Sequence, residues 1–191
     1  MRMKILGVDP GLSHTGWATI LVDCNRQTCQ LYGDGGVIKT QKWRDKDKTV
    51  AYPDRDRIDT ISRELETVIK AIRPDIIVVE DFVYYGNKGK VTSVMPALIE
   101  NLRMLGFRLS IETKIYANGD WKVSLLKNRQ AKKNQVQHFV HRALNLNTSV
   151  WDKKDRGGHI RDAMGLGLCE AHIILFPEKR EQRRKLKTVK L

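Results

Sequence analysis

Asp75-Ile76-Ile77-Val78-Val79-Glu80 is the stretch on which the fold turns. Its four consecutive β-branched residues leave no wet face, so the segment reads as a central strand covered on both sides. The strand ends in a carboxylate, which is costly there unless it meets water, a partner or a cation. Just upstream, Arg57 to Ile72 carries Ile58, Ile61, Leu65, Val68, Ile69 and Ile72 at helical spacing and stops before Pro74, so a helix leads into the strand. Downstream, Thr92 to Leu105 reads as a helix and Arg108 to Ile115 as the next strand.

Nearer the N-terminus, Met3 to Val8 is a short apolar strand that ends at Asp9-Pro10-Gly11, and Trp17 to Val22 resumes a strand after the turn. Cys29 to Ile38 supplies a third strand, giving a meander, and the charged segment Lys39 to Asp56 reads as a loop. Toward the C-terminus, Gln130 to Leu144 places Val136, Phe139, Val140 and Leu144 on one helical side, and a last helix runs from about Arg161 to Leu175, stopped by Pro177. This order predicts an α/β arrangement, a mixed sheet flanked by helices. In such sheets ligands sit near the carboxyl ends of central strands, where Asp9 and Glu80 fall.

The 191 residues fit one compact domain, expected over residues 1–177, followed by a basic tail over 178–191 that is read as a phosphate-contacting arm. A formal net charge of +13 calls for a polyanionic partner, with nucleic acid ahead of an anionic membrane surface. Cys24, Cys29 and Cys169 are odd in number and suit a reducing cytoplasm. No membrane-span pattern or signal-like apolar segment is visible, so the expectation is a soluble cytoplasmic protein with no membrane partner.

Three acids stand out: Asp9 and Glu80 at strand ends, and Asp162 at the start of the last helix, three residues after His159 and on the same helical face. Taken singly, each has an ordinary reading. Asp9 before Pro-Gly suits a turn, Glu80-Asp81 suits solvated charge, and His159 with Asp162 suits a helix cap. Their coincidence at places that can converge favours an oxygen-rich site for Mg²⁺, with Mn²⁺ as substitute. Two such ions about 3.5–4 Å apart activate water and stabilise the leaving oxygen of a phosphodiester. His138 and His141, or Cys24 and Cys29, have spacings that suggest zinc, but no second ligand pair stands nearby, and helix and hairpin positions are the better reading.

Four blocks carry a resemblance: Gly7-Val8-Asp9-Pro10-Gly11 with Thr15-Gly16, Arg73 to Glu80, Ala131-Lys132-Lys133-Asn134-Gln135-Val136-Gln137-His138, and His159-Ile160-Arg161-Asp162-Ala163. Together, over roughly Met3 to Ile174, they resemble the RuvC family of Holliday junction resolvases. The third block is the most particular to that family. The resemblance implies an RNase H-like mixed five-stranded sheet flanked by helices, a homodimer, and Mg²⁺-dependent symmetrical nicking of four-way DNA junctions. By position it makes Asp9, Glu80, His159 and Asp162 the catalytic and metal-binding set, leaving open whether His159 is a ligand or a proton-transfer group. Lys133, with Lys122 as a second, would contact DNA phosphate.

After Glu80 the family carries a Gln-like residue and an aromatic wedge, whereas this chain has Asp81-Phe82-Val83-Tyr84-Tyr85-Gly86, so Phe82, Tyr84 and Tyr85 are all candidates for stacking on an unpaired base. Leu125 to Gln130 replaces a glycine-rich piece. Such divergence suits a distant or phage-encoded member, acting in a bacterial cell or an infected host. The alternatives are an RNase H-fold nuclease of broader preference for forks and flaps, and a noncatalytic junction-binding protein.

Overall fold

The computed structural model describes residues 1–40, 54–82, 91–117, 119–155 and 157–178. Strand β1 (Arg2–Asp9) pairs antiparallel with β2 (His14–Asp23) along its whole length, from Arg2 opposite Asp23 to Asp9 opposite Gly16. On its other side β1 pairs parallel with β5 (Ile76–Glu80), and β5 pairs parallel with β6 (Glu112–Tyr116). This is the mixed sheet expected from the order of elements.

The expected third strand, Cys29 to Ile38, is two strands. β3 (Thr28–Leu31) pairs with the far half of β2, and β4 (Gly36–Lys39) pairs with its near half. Gly33 and Gly35 between them adopt φ of 72° and 61°, a left-handed conformation that cannot continue an extended ladder. Among the described residues the sheet therefore has six strands rather than five, two of them sharing one edge.

Alternation along the central strands sorts their side chains to two faces. Leu6, Val8, Ile77 and Val79 pack with residues of α1 (Asp54–Ile72) and α2 (Val91–Arg108). Ile5, Ile20, Ile76 and Val78 pack with α3 (Asp120–Leu126), α4 (Lys133–Ala143), α5 (Thr148–Lys154) and α6 (His159–Leu175). The short helices α3 and α5 were not anticipated. The strand expected from Arg108 starts only at Glu112, because α2 runs on to Arg108.

Helix α6 lies unusually close to the sheet. A Cβ on Gly7 would overlap the carbonyl of Ala163, and one on Gly16 would overlap the carbonyl of His159. Small residues on both sides thus bring the start of α6 down onto the ends of β1 and β2. Among the described residues no helix is long and apolar enough to cross a membrane.

Candidate active site

Val8 stands opposite Val79 in the parallel β1–β5 pair, so Asp9 and Glu80 follow side by side at the strand ends. Val8 and Val79 face α1 and α2, which turns the next residue of each strand to the α6 face. There α6 begins after Gly158, whose φ of 81° makes the sharp entry, with His159 first and Asp162 one turn in. The four expected residues come from three elements and meet at one end of the sheet.

His159 Nδ1 lies 2.9 Å from Asp9 Oδ2. That hydrogen bond raises the imidazole pKa above its ordinary value, with burial pulling the other way and the charge of Asp9 adding to the rise. The His159 ring also stacks on His14, with centroids 5.4 Å apart and planes 1° from parallel. Glu80 is almost wholly buried and accepts a 2.8 Å hydrogen bond from Trp121 Nε1. Burial pushes its pKa up, the indole bond opposes that, and the negative charge of Asp9 raises it further.

Asp162 is the most perturbed of the set, pushed up to about 7 by burial and then by the charge of Asp9, with Glu80 adding to it and Lys122 and Lys133 opposing. The acids therefore sense one another across a desolvated cleft with too little positive charge to balance them. Among the described residues no three His, Cys, Asp or Glu side chains stand close enough to ligate one ion without moving. Asp9 is hydrogen-bonded to His159 and Glu80 to Trp121, each through one carboxylate oxygen, and the acids would draw closer together around a shared cation. The donor set, oxygen-rich and mutually repelling, has the chemistry of a site for hard divalent cations.

The expected DNA contacts divide. Lys133 Nζ donates to the carbonyl of Gly157 at 2.8 Å, beside the start of α6, and Lys122 Nζ lies 5.1 Å from the centre of the Trp121 ring. Both lysines act electrostatically on Asp162, so both flank the cleft. Phe82 packs against the core beneath α1 and α2, and it follows Glu80 closely. Tyr84, Tyr85 and the tail over 179–191 lie outside the described residues. His141 is buried with Nδ1 3.3 Å from Thr148 Oγ1, a helix-packing role in place of a zinc pair with His138.

Sequence reasoning missed Trp121 and His14. His14 directly precedes the Thr15-Gly16 pair, and Trp121 directly precedes Lys122, so adjacency was the available signal.

The model of the family described as "Crossover junction endodeoxyribonuclease RuvC" matches residues 5–170. The chain belongs to the RuvC family. It is 30% identical over 166 residues to the RuvC of Synechococcus sp. (strain RCC307), covering 87% of this chain and 96% of that protein. It is 27% identical to the RuvC of Caldanaerobacter subterraneus subsp. tengcongensis, covering 89% of this chain and 93% of the relative. Among solved structures it is similar to Thermus thermophilus RuvC, with a TM-score of 0.69 and 22% identity over 90% of this chain and 95% of that one. It is also similar to the fowlpox virus Holliday junction resolvase, with a TM-score of 0.58 and 16% identity over 91% of this chain and 100% of that one. The fold is thus the RNase H-like α/β fold of RuvC, and the family is one of metal-dependent endodeoxyribonucleases.

Proposed function

We propose that this RuvC-family endodeoxyribonuclease resolves four-way DNA junctions as a homodimer, each subunit nicking one strand symmetrically with Mg²⁺, for which Mn²⁺ substitutes. The observation that carries the reading is that Asp9, Glu80 and Asp162 are brought to one end of the sheet, with His159 bonded to Asp9, in a chain whose curated relatives are crossover junction endodeoxyribonucleases. Asp9, Glu80 and Asp162 would hold the cations, with His159 beside them. Bound there, divalent cations supply an activated water and stabilisation for the leaving oxygen of the cut phosphodiester.

The chain's own groups do the rest. The Asp9 carboxylate orients the His159 imidazole and raises its proton affinity, which suits it to hold or pass a proton at Nε2. Lys122 and Lys133 flank the acids and would take the phosphates on either side of the cut strand. The Thermus thermophilus relative has been solved in complex with a Holliday junction substrate, which supports the choice of substrate here. Phe82 stands two residues after Glu80, partly buried against the core, and in the sequence it belongs with Tyr84 and Tyr85 to an aromatic set suited to stack on an unpaired base.

The test maps strand breaks on a synthetic immobile four-way junction, with three-way and linear DNA alongside. Paired symmetrical nicks, restricted to the four-way form, dependent on Mg²⁺ and lost in Asp162→Asn, are expected. Equal cutting of all three substrates would favour a nuclease of broader preference, and tight binding without turnover a scaffold.

A further inference from the structure

The start of α3 places one side chain against three parts of the candidate active site at once. Trp121 is 1% exposed, and its indole Nε1 donates to Glu80 Oε1 at 2.8 Å. Gly119, immediately before α3, takes up a left-handed φ of 79° that turns the chain into the helix carrying Trp121. Lys122 extends across the face of the Trp121 ring at 5.1 Å. The far edge of the ring rests against Gly165, one turn beyond Asp162 on α6, where any Cβ would overlap Trp121 Cζ3.

A buried carboxylate at a strand end has several rotamers open to it, and a cation that must first select one binds more weakly. An indole N–H is a donor only, with its direction fixed by a rigid ring, and here that ring is locked between the sheet and a glycine on the neighbouring helix. Packing has no need of the nitrogen, since a phenyl ring would fill most of the same space.

We propose that Trp121 is a positioning residue for Glu80, fixing one carboxylate oxygen through its indole N–H so that the side chain's direction is set before a cation arrives, while its ring face carries Lys122 alongside. The proposal rests on the reading of Glu80 as a metal-binding residue. Gly165 is part of the same device, because it makes room for the ring that aims the nitrogen. Partners that orient metal-binding residues in this way are typically worth 10- to 100-fold in metal affinity or activity.

The experiment measures Mn²⁺ binding to the DNA-free protein by electron paramagnetic resonance of the unbound ion, together with Mg²⁺-dependent cleavage and thermal melting. It compares the wild type with Trp121→Phe, Gly165→Ala, Glu80→Gln and the double variant Glu80→Gln with Trp121→Phe. Trp121→Phe keeps the ring and loses only the donor, so Mn²⁺ affinity should fall about 10-fold while junction KM stays near the wild-type value. Gly165→Ala keeps the donor and displaces the ring, so it should weaken Mn²⁺ in the same way. In the Glu80→Gln background the added Trp121→Phe change should cost nothing more, whereas a packing role would add its full effect. Wild-type Mn²⁺ affinity in a folded Trp121→Phe protein overturns the proposal. Should that variant not fold, an unchanged Mn²⁺ affinity in Gly165→Ala overturns it instead. Glu80→Gln that still cleaves overturns the metal-binding reading of Glu80 and this inference with it, whereas an inactive Glu80→Gln beside an unaffected Trp121→Phe overturns this inference alone.

Discussion

Gly16 stands where the carbonyl of His159 presses onto the sheet, so that no side chain fits between β2 and the start of α6. Because Gly16 is also the register partner of Asp9, this contact sets the distance at which His159 meets Asp9. Gly16→Ala should therefore act on the site before it acts on the fold. Over-packing of this kind costs about 1–3 kcal/mol, and cleavage should fall by more than that loss of stability explains. Denaturant unfolding paired with cleavage rates checks this, and a variant with unchanged cleavage would show that the contact does not set the site.

Asp162 gives the metal-free protein a pH dependence whose sign is fixed. An acid whose pKa is raised on folding, here from 3.8 to about 7, binds more protons folded than unfolded, so stability falls as pH rises through that window. Asp162→Asn removes the titration, and in chelator the variant should be more stable than the wild type by roughly 2 to 4 kcal/mol at pH 7, with the two converging near pH 4. Chemical denaturation between those pH values measures the difference. Equal stability at pH 7 would place Asp162 in a better solvated setting.

His159 should titrate above its ordinary value in the same metal-free protein, because the hydrogen bond its ring donates to Asp9 outweighs burial. Its contribution to stability is present below the unfolded pKa and is lost as pH rises through the folded one. Asp9→Asn removes the charge and should lower the His159 pKa. Imidazole resonances followed by NMR across the titration read the change directly.

The strands that build the site were legible because their patterns are local. Asp75 to Glu80 is apolar without a break, Met3 to Val8 stops at Asp9-Pro-Gly, and each ends on an acid that the sheet then sets side by side. The start of α6 was legible for a similar reason, as the run of small residues after Asp162 announces close packing. What escaped has no local period. Helix α3 has seven residues, too few to show a stripe, and Trp121 finds its partner Glu80 only through the fold. The split of β3 from β4 hangs on two glycines whose positive φ is a property of the turn and not of composition. Asp155 and Arg161 are buried together, and no local pattern in the sequence marks either charge as buried.

That buried pair should be one of the larger single stability terms outside the apolar core. Asp155 Oδ2 accepts from the Arg161 backbone N–H at 2.9 Å and from Nε at 3.1 Å, and the Asp155 carbonyl takes a further bond from Arg161 Nη2. Arg161→Met leaves the carboxylate buried without its cation and should cost about 3–5 kcal/mol. The double change Arg161→Met with Asp155→Asn should recover much of that loss, since it removes the stranded charge. Urea midpoints for the single and double variants decide it, and a single variant within about 1 kcal/mol of wild type would mean that the pair is solvated.

The lysines beside the acids should show themselves in the salt dependence of binding. With Ca²⁺ replacing Mg²⁺, the acids still hold cations while chemistry slows, because Ca²⁺ tolerates looser coordination, so junction binding can be measured without cutting. A chain with a net charge of +13 that binds through phosphates should lose affinity steeply between about 50 and 200 mM salt. On the proposed function, Lys133, held by the Gly157 carbonyl at the edge of the cleft, and Lys122, held over Trp121, would each count as one phosphate partner. Lys133→Ala or Lys122→Ala should lower the slope of log affinity against log salt by roughly one unit, with similar losses on junctions of different sequence, since a phosphate contact reads no base. Fluorescence anisotropy across a salt series measures the slope. A wild-type slope in both variants would take these two lysines off the DNA and move the contact to the basic residues elsewhere on the chain.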